Sequence, residues 1–230
     1  MQSRKILIYM FVVFIVLLSL SASGICQNLD EKVRLIFNIH QERDIYDQSD
    51  YGEPPQFAIW LEDSENLTVK TVFVTYRTGT GEFDGKVECP VSLPVWTGIF
   101  RKETGRDDFP RPSEPFIDGI TGATPKVEDF YMSVKVEKGV RWFYYIEMNV
   151  AGDYNNSFPY VSSKKRIDSH GNGQPSLIFK GEIISKIGET SKPELIGRSD
   201  QHYFTTKINP DLGGINMAKK VFSKIIVSCK

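Results

Sequence analysis

The sequence predicts an all-β protein: an antiparallel β-sandwich of Ig-like or jelly-roll type behind an N-terminal signal helix. Three observations predict it. Apolar and polar residues alternate with a period of two in several short runs, the signature of half-buried strands. Turn-forming residues separate these runs at short intervals. No stretch carries a long apolar stripe of helical period, so at most a turn or two of helix is expected. Aromatic residues make up 12% of the 230-residue chain, which suits pleated surfaces, where flat rings pack well.

The first segment is read as a leader. Arg4 and Lys5 form a short positive region, Ile6 to Leu20 is an apolar run, and Ser21 to Gly24 supply small residues. That order is the pattern of a secretory signal peptide, here assigned to residues 1–26. The apolar run is shorter than the ~20 residues that cross a bilayer comfortably, so contact with the membrane is expected only through an uncleaved leader. Residues 27–230 are then a single exported domain, periplasmic or extracellular. Formal net charge is −1, with both signs interspersed. Such a balance carries no basic footprint for nucleic acid.

Along the mature chain the strands follow in order. Lys32 to His40 alternates, with Val33, Leu35, Phe37 and Ile39 on one side. Gln56 to Leu61 and Val69 to Arg77 flank a short polar stretch and read as a hairpin. From Gly79 to Pro125 glycine and proline dominate, interrupted by Leu93-Pro94-Val95-Trp96. A connection this long is either functional or ordered by its own contacts. Phe130 to Val136 leads through Lys138-Gly139 into Arg141 to Val150, expected as a second hairpin. A polar loop spans Gly152 to Gln174, Ser176 to Ile184 is another strand, and Val221 to Val227 is the last. Ile215 to Lys220 has room for a turn or two of helix.

Among chemical groups, the cysteines are Cys26, Cys89 and Cys229. In an oxidising compartment Cys89 with Cys229 is the obvious pair, though spacing alone does not establish a disulfide. The histidines, His40, His170 and His202, are far apart and show no zinc-like spacing. Asp153, Tyr154, Asn155 and Asn156 supply oxygen ligands without the spacing of a calcium loop. No Gly-x-Ser-x-Gly elbow is present, and His170 beside Asp168 and Ser169 reads as a polar loop. No catalytic or metal-binding residue is assigned. Trp96 either lines a binding groove or plugs the core. Together with Tyr154, Asn155 and Gln174 it marks the expected binding surface, because loops on a rigid scaffold carry function.

The string Asp118-Gly119-Ile120-Thr121-Gly122-Ala123-Thr124 resembles the flavinylation motif of exported FMN-binding domains. That resemblance implies FMN esterified onto Thr124, with Asp118, Thr121 and Gly122 as recognition positions. Pro125 follows, where that family continues with further Thr or Ser and then a helix. The same residues also read as a tight turn opened by glycine. A wider set of segments occurs in order: Pro55 to Thr78, Leu93 to Trp96, Asp118 to Lys126 (DGITGATPK) and Gly173 to Ile178 (GQPSLI). Together they resemble a family of exported bacterial domains of unknown function, described as similar to the β-sandwich of the flagellar hook-capping protein. What this implies is a fold and a compartment, with no reaction attached. The expectation is a non-enzymatic binding module for an envelope protein or a small ligand. The alternative is an extracytoplasmic redox carrier holding covalent FMN.

Overall fold

A computed structural model of the chain describes residues 31–83, 89, 92–116, 120–122, 125–126, 128–200 and 205–230. Its strands form two sheets packed face to face. Strands β1 (Lys32–Gln41), β5 (Asp129–Glu137), β8 (Thr190–Ser191) and β10 (Phe222–Cys229) make a four-stranded antiparallel sheet in the order β5-β1-β10-β8. The second sheet holds β2 (Gln56–Asp63), β3 (Val69–Thr75), β4 (Ile120–Gly122), β6 (Arg141–Asn149), β7 (Leu177–Ile184) and β9 (Glu194–Arg198), in the order β4-β3-β2-β6-β7-β9. Five of these six strands are antiparallel, and the short edge strand β4 runs parallel to β3. The protein is thus a β-sandwich. The expected leader lies outside the described residues. Among those described, no helix is long and apolar enough to cross a membrane.

The period of two decides which faces meet. Val33, Leu35, Phe37 and Ile39 point inward from β1 and are buried against Phe57, Ile59 and Leu61 of β2 and Tyr144, Ile146 and Met148 of β6. Edge-to-face contacts lock this layer: Phe57 meets Phe130 and Phe222 at ring-centroid distances of 5.1 and 5.4 Å. In β2 the alternate residues Ala58 and Trp60 are buried as well, which is why that strand reads as an unbroken apolar run.

What buries the outer face of β2 is a helix the alternation gave no reason to expect. Among the helical segments α1 (Arg43–Tyr46), α2 (Tyr76–Thr80), α3 (Pro94–Thr104) and α4 (Ala218–Val221), only α3 is longer than a turn or so. Pro94 opens α3 at a position where its missing N–H costs nothing. Val95, Trp96, Ile99 and Phe100 lie on one face at helical spacing and pack on Ala58, Trp60, Val74 and Ile178. The Pro-rich connection is therefore a covering layer with its own apolar core, and its middle is not a free loop.

The second expected hairpin is corrected. The turn at Lys138-Gly139 exists, but β5 pairs with β1 and β6 pairs with β2, so the chain crosses from one sheet to the other there. Ser185 fixes that corner, its hydroxyl lying 2.6 Å from the Glu137 carbonyl and 2.9 Å from that of Val140. The apolar faces of β5 and β6 thereby oppose each other across the core instead of sharing a sheet. Expectation and structure agree on the hairpin β2–β3, on the single turn α4 and on the loop from Gly152 to Gln174.

Candidate functional site

One end of the sandwich gathers the long connections. β1 ends there and feeds α1 and the segment to Gln56. β3 ends there, and the loop between Asn149 and Leu177 starts and finishes there. A cavity of about 400 Å³ opens between these segments, lined by Asp50, Tyr51, Glu53, Arg77, Asn149 and His170 among others. That volume is within the roughly 300–1,000 Å³ typical of small-molecule sites.

Tyr51 is the unusual member. It is an aromatic ring left 41% exposed, and it is nevertheless held from behind by two glycines. A Cβ at Gly152 would lie 2.9 Å from Tyr51 Cδ2, and one at Gly171 would lie 2.7 Å from the phenol oxygen. Both glycines have positive φ, +72° and +64°, so the backbone reaches the ring in a conformation other residues resist. Backbone hydrogen bonds tie the three segments together: the Asp50 N–H donates to the Gly152 carbonyl at 3.0 Å, and the Gly152 N–H to the Gly171 carbonyl at 2.7 Å. The ring is a fixed platform, and little rotamer freedom is left to lose on binding.

The inner wall is polar. Asn149, 2% exposed, donates its amide N–H to the Gln174 carbonyl at 3.0 Å, which fixes its orientation and leaves its own oxygen buried without a hydrogen bond. A buried acceptor of this kind costs ~1–3 kcal/mol. Gln56 accepts from Thr75 and Thr78 at 2.8 and 3.3 Å, and Thr78 meets Ser92 at 3.2 Å. On the rim, Arg77 pairs with Glu53 at 3.1 Å. Asp168 shapes the loop carrying His170 by accepting the backbone N–H groups of His170 and Gly173 at 3.2 and 2.9 Å. Its carboxylate is thus engaged with the backbone of the turn.

Cys89 also lines the cavity, and its thiol donates to the Asn172 side-chain oxygen at 2.7 Å. Cys89 and Cys229 are both thiols, which corrects the expected pair. Cys229 sits at the far end of β10, opposite Leu35, while Cys89 is at the cavity end. A strand of that length spans roughly 25 Å, and a disulfide needs Cα atoms within about 7 Å.

The sequence-expected residues separate. Trp96 is fully buried in the α3 layer, its indole N–H donating to Thr71 Oγ1 at 3.1 Å, so the plug and not the groove is what forms. Gln174 is buried too: its amide donates to Asn216 Oδ1 at 2.7 Å and accepts the Asn216 N–H at 2.9 Å, pinning two loops. Asn155 caps a turn by accepting from the N–H groups of Ser157 and Phe158, both at 2.9 Å. None of these four lines the cavity, and Tyr154 lies next to it, beside Tyr51. Burial and the neighbouring Tyr51 phenol push its pKa up, and its ring meets Tyr160 edge-on at 5.4 Å. Among the described residues no group of three metal-ligating side chains occurs. Asp118 and Thr124 lie outside the described residues; Thr121 and Gly122 belong to β4, in register with Val74 and Thr75. Tyr51 was missed because its glycine supports come from residues a hundred positions away.

Compared with known proteins, the chain matches no family model, no curated protein and no solved structure.

Proposed function

We propose that the chain is a non-enzymatic binding module, exported to the envelope, that holds a small ligand in the cavity lined by Tyr51. The observation that carries this reading is the Tyr51 ring itself, exposed on one side and clamped on the other by Gly152 and Gly171. Leaving an apolar ring open to water gains nothing for folding, and giving it a rigid glycine seat restricts the sequence at two distant positions. A surface for recognition accounts for both.

Saturation-transfer NMR with a library of small fragments tests the proposal. Fragments that bind the native chain and lose their signal in Tyr51→Ala support it. A screen without hits, or hits indifferent to that substitution, overturns it.

A further inference from the structure

We infer that the ligand class is carbohydrate: a pyranose stacked on Tyr51, its glycan continuing outward over Tyr154 and Tyr160. The inference rests on the binding-module reading and specifies its ligand.

A pyranose presents a flat face of C–H bonds and a rim of hydroxyls. The face packs on an aromatic ring, and each hydroxyl both donates and accepts. The cavity offers that combination. Tyr51 supplies the platform. Asp50 and Glu53 supply acceptors, and Arg77 and Ser92 supply donors around the same space. The charges favour a neutral ligand, because the Arg77 guanidinium is already opposed by Glu53 at 3.1 Å. An anion entering here would meet Asp50 and Glu53 as well, and a cation would meet Arg77.

The aromatic surface does not stop at the cavity. Tyr154 lies beside Tyr51 with its hydroxyl buried, and Tyr160 stands against the Tyr154 ring at 5.4 Å with about half its surface exposed. Val161 and Ile167, both exposed, pair across the tip of the same loop. Tyrosines in succession suit a ligand with repeating C–H faces, as a glycan has. Each brings contact area at a low entropy cost, having few rotatable bonds.

The experiment is saturation-transfer NMR and titration calorimetry on the full chain. The probes are methyl glucoside, N-acetylglucosamine, maltotriose, chitotriose and cellotriose, with phenol and tetramethylammonium as non-sugar probes. At least one sugar is expected to bind, with the strongest transfer to C–H protons of one ring face. Tyr51→Ala is expected to weaken it about tenfold, and Tyr51→Phe, which keeps the platform, by no more than about twofold. Tyr160→Ala is expected to weaken the trisaccharide and leave the single sugar unchanged. Near-ultraviolet circular dichroism confirms that the variants fold. If phenol or tetramethylammonium binds in a Tyr51-dependent way and no sugar does, the carbohydrate inference falls and the binding module stands. Sugar binding that ignores Tyr51→Ala also overturns the inference. If no probe binds, both fall.

Discussion

Glu147 of β6 accepts the backbone N–H of Trp96 at 2.6 Å, so a strand carboxylate caps the first turn of helix α3. The same carboxylate accepts from the Val95 N–H at 3.2 Å and from the Ser176 hydroxyl at 2.6 Å, and Glu147 is completely buried. The helix N-terminus welcomes negative charge, and three donors favour the ionised form. Burial outweighs them and pushes the Glu147 pKa up to about 7.

A pH dependence follows from that shift. The folded pKa lies above the ordinary value of 4.5. The contribution of Glu147 to stability is therefore fully present below about pH 4.5 and is lost as pH rises through about 7. The linkage amounts to roughly 3 kcal/mol across that window. Urea unfolding of native chain and Glu147→Gln at pH 4.5, 6 and 8 measures it. The stability of the native chain relative to the variant is expected to fall with rising pH. A difference that stays flat would place the carboxylate outside this balance.

Trp96 is predicted to act through packing. Its ring lies 5.8 Å from that of Phe100 and 6.0 Å from that of Phe116, inside the layer covering β2 and β3. Trp96→Ala is expected to cost about 3–5 kcal/mol in chemical unfolding. Trp96→Phe is expected to cost less, about 1–3 kcal/mol, mainly from the Thr71 hydroxyl losing its indole partner. A surface binding residue would leave stability within about 0.5 kcal/mol.

These two cases show what was legible in the chain and what was not. The strands could be read because alternation is local: Val33, Leu35, Phe37 and Ile39 state their shared face within seven positions. Helix α3 was hidden because Pro94 and Gly98 resemble loop punctuation, and its apolar face Val95, Trp96, Ile99, Phe100 is one turn and a half long. Gly98 stays in the helix because a Cβ there would fall 2.5 Å from the Thr206 methyl, so its glycine serves packing. The partner of β5 was misread for a related reason. A tight turn announces a reversal, while the sheet joined by the next strand depends on Ser185 and β1, both remote. The expected binding surface, Trp96, Tyr154, Asn155 and Gln174, draws on the 79–125 connection and the 152–174 loop, while Tyr51 comes from another connection altogether.

The clamp on Tyr51 gives a prediction free of any assumed ligand class. Gly171→Ala places a methyl within 2.9 Å of the ring carbon Cε2 and forces an alanine to φ +64°. Gly105→Ala imposes a similar backbone strain, φ +73°, with nothing within 4 Å of the new methyl. Both are expected to lose about 1 kcal/mol of stability from the backbone alone. Only Gly171→Ala should turn Tyr51 from its seat and abolish the melting-temperature increase that a bound fragment gives. If both variants keep that increase, the platform is not the binding surface.

Thr124 decides between the binding module and the redox carrier. The carrier reading needs its hydroxyl to enter a transferase active site on an extended, accessible loop. Two residues earlier the chain is paired along β3, with Thr121 beside Val74 and Gly122 beside Thr75, and Pro125 follows directly. That proline stands where flavinylated domains continue with further Thr or Ser and then a helix, and this departure in sequence weighs against modification. Intact mass of the protein secreted from a host containing the flavin transferase is therefore expected to equal that of the polypeptide. A flavin increment that disappears in Thr124→Ala would install the redox carrier instead, with Asp118 as the next recognition position to substitute. Because the Tyr51 cavity and the β4 edge draw on separate segments, Thr124→Ala is expected to leave fragment binding at Tyr51 unchanged.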